Sequence, residues 1–102
     1  MSQQYAFIIP GVDERTGENA IQIVCDKKDK SFIKKVLLGH TAITPFNISE
    51  GFCKPGQIQL NNSYEFILTF GEEVSSKEEY LLIMAIYKQL SSTMGNKAVA
   101  CL

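Results

Sequence analysis

Residues 63–95 read SYEFILTFGEEVSSKEEYLLIMAIYKQLSSTMG, and a change of hydrophobic period partway along decides the fold. From Tyr64 to Phe70 the chain alternates. Tyr64, Phe66, Leu68 and Phe70 share one face; Glu65, Ile67 and Thr69 share the other. Period two belongs to a strand, and its aromatic face belongs in a core. From Ser75 onward the period becomes helical. Ser75 and Glu78 have capping-box spacing: the serine hydroxyl accepts from a free backbone N–H while the glutamate reaches back to the cap. Glu78 and Glu79 also complement the positive end of a helix. Tyr80, Ile83, Met84, Tyr87, Leu90 and Met94 then recur at helical spacing, Leu82 and Ile86 widen the stripe, and Gly95 ends it. A long helix with this pattern must pack on a sheet.

On the N-terminal side, Gln57–Leu60 and Tyr64–Phe70 flank Asn61-Asn62-Ser63, which predicts a hairpin. Cys53 to Gly56 predicts a turn, with Pro55 and Gly56 placed for a type II bend. Glu50-Gly51 reads as a break. Thr41 to Ile48 is irregularly apolar and contains Pro45, which cannot donate to a ladder, so it reads as an edge strand or a packed loop. Phe32, Ile33, Val36 and Leu37 lie on one helical face, with Lys34 and Lys35 opposite. Asp29 or Ser31 can cap the start and Gly39 the end. The spacing predicts a short helix near 31–38, and the β-branched content keeps a strand as the competing reading.

Gln4 to Ile9 alternates with apolar residues on both faces, which predicts an interior strand closed by Pro10-Gly11. The polar stretch 12–19 is a loop. Ala20 to Cys25 is a second strand, antiparallel to the first. Residues 97–102 form a candidate final strand. The order β-β-α-(β)-β-β-α predicts a single α+β domain over residues 1–102, a mostly antiparallel sheet carrying one short and one long helix.

The totals exclude several classes. A chain of 102 residues with 45% hydrophobic and 21% charged content is an ordinary globular domain rather than a disordered one. The net charge of −1 argues against a surface devoted entirely to polyanions, and against an acidic mimic. Cys25, Cys53 and Cys101 are widely spaced with no C-x-x-C pair, so no zinc site of paired cysteines is expected. Met1 to Tyr5 lacks the basic start and apolar run of a signal peptide, and the apolar stretch Tyr80–Tyr87 is too short for a membrane span. Cys101 stands two places too late for a prenylation box, whose cysteine position is held by Val99. Unpaired thiols without an export signal point to the cytoplasm, where the glycosylation patterns at Asn47 and Asn61 carry no meaning. No cofactor is expected, because no phosphate-binding glycine motif occurs.

Three functional readings remain. The first is a non-catalytic module that binds another protein, or a second copy of itself, by surface association: an inhibitor, immunity, adaptor or phage or viral accessory type. Its candidate contacts are Glu72 and Glu73, an acidic rim near the start of the long helix, with Tyr80 and Tyr87 on the helix itself. The second is a single-stranded nucleic-acid or anion binder using Lys27, Lys28, Lys30, Lys34 and Lys35. These are half of the ten basic residues and fall within nine positions. Asp26 and Asp29 among them, and the scarcity of arginine, weigh against it. The third pairs Cys53 or Cys25 with His40 as nucleophile and base. No signature surrounds any of the three, and it ranks last.

Overall fold

The computed structural model describes residues 5–41, 46–53, 63–71 and 74–101. β1 (Ala6–Val12) and β2 (Asn19–Asp26) are antiparallel neighbours, Phe7 opposite Val24 and Gly11 opposite Ala20. The turn between them closes with Gly17 N–H on the Asp13 carbonyl, and Gly17 takes φ 74°, where a Cβ would be strained. β2 leads through a single 3-10 turn into α1 (Lys30–His40), which returns the chain to β3 (Asn47–Phe52). β4 (Ser63–Thr69) then lies between β3 and β2, antiparallel to both. α2 (Ser76–Met94) carries the chain across the sheet to β5 (Ala98–Ala100), which pairs parallel to β1. The five-stranded order is β3-β4-β2-β1-β5. The domain is therefore α+β with a mostly antiparallel sheet, and β1 is an interior strand.

Two crossovers position the helices. β2-α1-β3 and β4-α2-β5 each join parallel strands, but they move to opposite edges along strands that run in opposite senses. Right-handed crossovers so arranged place both helices on the same face of the sheet. The core agrees. Ile33, Val36 and Leu37 of α1, with Leu82, Ile83, Ile86, Leu90 and Met94 of α2, form one cluster with the sheet residues Ala6, Ile8, Ile21, Ile23, Cys25, Tyr64, Phe66 and Leu68.

Local chemistry explains most boundaries. Ser75 caps α2 as expected: its Oγ accepts from Glu78 N–H at 3.2 Å, and Glu78 Oε1 accepts from Ser75 N–H at 3.4 Å. Gly95 ends α2 at φ 64°, with its N–H on the Ser91 carbonyl.

Several expectations are corrected. Gly39 is not a cap, since α1 runs through it to His40. Asp29 stands at the start of α1 without a side-chain cap bond; Asp26 does the capping one turn earlier, its Oδ1 accepting from Lys28 N–H at 2.8 Å. Glu50-Gly51 is no break, because both residues lie inside β3, held by the ladder to Phe66 and Glu65. Tyr80 is not in the buried stripe: it is 51% exposed, and the core side of α2 is centred on Leu82, Ile83 and Ile86. The expected strand Gln57–Leu60 and the turn at Lys54–Gly56 lie outside the described residues, as does Pro45.

Candidate binding surface

Placing both helices on one face leaves the other face of the sheet to be accounted for. The ladder registers define its rows. Phe7, Val24 and Glu65 lie side by side, with Val99 of β5 beside Phe7. Ile9, Gln22, Ile67 and Ser49 form the next row. Ala20 and Val24 are buried on this face, yet they stand outside the helix-side core cluster. Phe7, Ile9, Ile67 and Val99 are half-buried, and Tyr5 stacks on Phe7 with ring centroids 6.0 Å apart. Among the described residues, no helix or strand packs over this face. Where an antiparallel sheet face meets water it normally turns polar side chains outward, and the half-buried Phe7, Ile9, Ile67 and Val99 depart from that pattern.

The face is not flat. A depression of about 580 Å³ crosses it from the β1–β2 turn to β3. Its apolar lining includes Ile9, Val12, Ala20 and Ile67. Within it Gln22 Nε2 donates to Glu65 Oε1 at 2.7 Å, which fixes the carboxylate against the sheet. At the rim Arg15 leans on Asp13, Nε to Oδ1 3.7 Å, and its backbone N–H donates to the same oxygen at 3.0 Å.

The lysine cluster lies on the helix side instead, above the β3–β4 edge. Lys27 Nζ stands 5.4 Å from the Phe52 ring centroid, and Lys30 Nζ stands 5.0 Å from that of Tyr64. Lys34 Nζ pairs with Glu50 Oε2 at 2.7 Å. Tyr64 donates its hydroxyl to Glu50 Oε1, also at 2.7 Å. The Lys34 ammonium, and then the Tyr64 hydroxyl, hold the Glu50 carboxyl below the usual carboxylate range. The same bond to Glu50 holds the Tyr64 phenol above its ordinary value. Lys28 and Lys35 are exposed. Of the aromatic residues a nucleic-acid platform would draw on, Tyr64, Phe66 and Phe70 are buried in the helix-side core, and Tyr5 and Phe7 lie on the opposite face. Phe52 alone joins the lysines with an exposed ring, at 60% exposure.

The remaining candidates are dispersed. Tyr80 and its neighbour Leu81 are exposed on α2, whereas Tyr87 is partly buried against the core. Glu72 and Glu73 lie outside the described residues. His40 ends α1, with Nε2 2.9 Å from Gln89 Oε1. The Cys25 thiol is buried and its pKa is pushed up to about 12, by loss of water first and then by Asp29, Cys53 and Asp26. Burial also raises Cys53. Both shifts favour the thiol over the nucleophilic thiolate. Among the described residues, no group of three or more His, Cys, Asp or Glu side chains is placed to hold a metal ion, and no helix is long and apolar enough to cross a membrane.

The sequence held a signal for the open face. The same alternation that marked β1 as apolar on both sides applies to Val24 on β2 and Ile67 on β4. Only the register shows that these residues are adjacent. The chain matches no protein-family model, no curated protein and no solved structure.

Proposed function

We propose that this protein is a non-catalytic binding module that covers the surface of a partner protein with the face of its sheet opposite α1 and α2. One observation carries the reading. Phe7, Ile9, Ile67 and Val99 line a face that no described helix or strand covers, around a depression of about 580 Å³. Apolar patches of this kind on a small domain mark interaction surfaces. Buried apolar surface supplies the affinity, and the polar Gln22–Glu65 pair supplies orientation. The test compares two charge insertions in retention of partners from a host lysate. Ile67→Lys, on the open face, should abolish retention, while Leu81→Lys, on the exposed side of α2, should leave it intact. Circular dichroism verifies the fold of both. Equal retention by wild type and Ile67→Lys refutes the reading.

A second reading rests on Phe52, exposed beside Lys27, as one stacking ring for a single nucleic-acid strand running past Lys28 and Lys35. It requires binding that weakens steeply with salt and is lost in Phe52→Ala. Lys34 is already paired with Glu50, and Lys27 and Lys30 lie on rings of this chain, so we rank it second.

A further inference from the structure

The charge around the open-face depression names the chemistry of what fits there. Asp13, Glu14 and Glu65 line it against a single guanidinium, Arg15, which is already turned to Asp13. Glu65 lines the depression in the row farthest from the β1–β2 turn, half-buried, with Oε1 fixed by the Gln22 amide. The Ile9 and Ile67 side chains belong to the same row of the sheet, on either side of Gln22. An occupant must therefore present a cation to Glu65 and apolar groups to Ile9 and Ile67 on the same face.

We propose that the depression takes a short extended segment of a partner protein that turns one face to it, with a basic side chain on Glu65 and, two residues to either side, apolar side chains against Ile9 and Ile67. This rests on the reading of the open face as the binding surface and names the ligand class that face selects. The dimensions agree. From β1 to β3 the lining crosses three inter-strand steps, about 14 Å, which an extended segment covers in about four residues. Arginine and lysine suit the site doubly. Their aliphatic stems lie over apolar surface while the charged head reaches a carboxylate. An arginine fork also forms charge-assisted bonds with a carboxylate that is already oriented. An anionic strand is repelled by the same three carboxylates.

The probe is the acetylated pentapeptide Val-Ser-Arg-Ser-Val, whose two valines and arginine share one face when extended, with its glutamate-for-arginine counterpart as control. Each is titrated into the isotope-labelled full chain and followed by backbone amide shifts. The basic peptide should move the amides of Ile9, Gln22, Glu65 and Ile67, and should bind about ten-fold more tightly than the acidic one. Glu65→Gln, an isosteric change, should weaken it by about ten-fold, and added salt should weaken it further. The proposal is overturned by equal binding of the two peptides, by shifts confined to other faces, or by a Glu65→Gln variant that binds as wild type. Self-association of the chain that displaces the peptide also overturns it. If the peptides fail while Ile67→Lys still abolishes partner retention, the open face stands and only the basic-segment assignment falls. If Ile67→Lys has no effect either, both fall.

Discussion

Leu81 and Leu82 are consecutive, chemically identical and equally helical, yet truncating them should have very different consequences. Leu82 is 3% exposed and belongs to the core cluster; Leu81 is 55% exposed. Leu82→Ala removes buried methyl groups and leaves a cavity between α2 and the sheet, at a cost of about 3 kcal/mol within the usual ~2–5 kcal/mol. Leu81→Ala opens no cavity. More than half of its surface already meets water, so the transfer loss stays below about 1 kcal/mol, and alanine's slightly better helix propensity offsets part of it. For a domain of this size, about 3 kcal/mol lowers the melting temperature by roughly 12–24 °C. In urea the midpoint falls by about 1.5 M at a slope near 2 kcal/mol/M. Parallel urea and thermal unfolding of wild type and both variants measures the difference. Comparable losses at the two positions would refute the placement of α2 on the sheet. A larger loss at Leu81 would mean that the helix is rotated about its axis.

Two glycines should respond with opposite signs. Gly39 lies within α1 with nothing within 4 Å of an added Cβ, so Gly39→Ala should raise stability by up to about 1 kcal/mol. Gly95 has the same open space but φ +64°, so Gly95→Ala should lower it by about 1–2 kcal/mol; urea midpoints report both. The Glu50 carboxyl titrates below its ordinary range because the fold favours its charged form. Its contribution to stability is therefore full above the unfolded carboxylate pKa of about 4.3 and is lost as pH falls through the lowered folded value. Carboxyl NMR titration should show its pKa rising in Lys34→Met, and an unchanged value would refute the role of the Lys34–Glu50 pair. The three thiols should alkylate unequally at pH 8: exposed Cys101 first, Cys25 only on unfolding, because burial and neighbouring carboxylates keep Cys25 protonated. Modification of Cys25 as fast as Cys101 in the folded chain would refute its burial.

Sequence by itself determined the features written in local chemistry. The Ser75–Glu78 box, the left-handed stop at Gly95 and the aromatic alternation of Tyr64–Phe70 depend on neighbours within a few residues, and all three stand in the fold as read. So did the α+β class, because the switch from period two to helical period follows from backbone geometry alone. Tertiary structure decided what depends on distant residues. Gly39 and Glu50-Gly51 carry residue types that locally favour a stop, but packing of α1 on the core and the β3–β4 ladder carry the elements through them. The stripe on α2 was wide enough for several orientations, and contact with the sheet turned Tyr80 outward and Leu82 inward. The lysines read as one cluster along the chain, but folding distributed three of them onto Phe52, Tyr64 and Glu50. The two-sided alternation of β1 was legible, but the adjacency of the apolar residues on the second sheet face was not. Ile9, Gln22, Glu65 and Ile67 come from three strands, and only the strand order and register bring a cross-strand carboxamide–carboxylate pair and two isoleucines onto the sheet face opposite the helices.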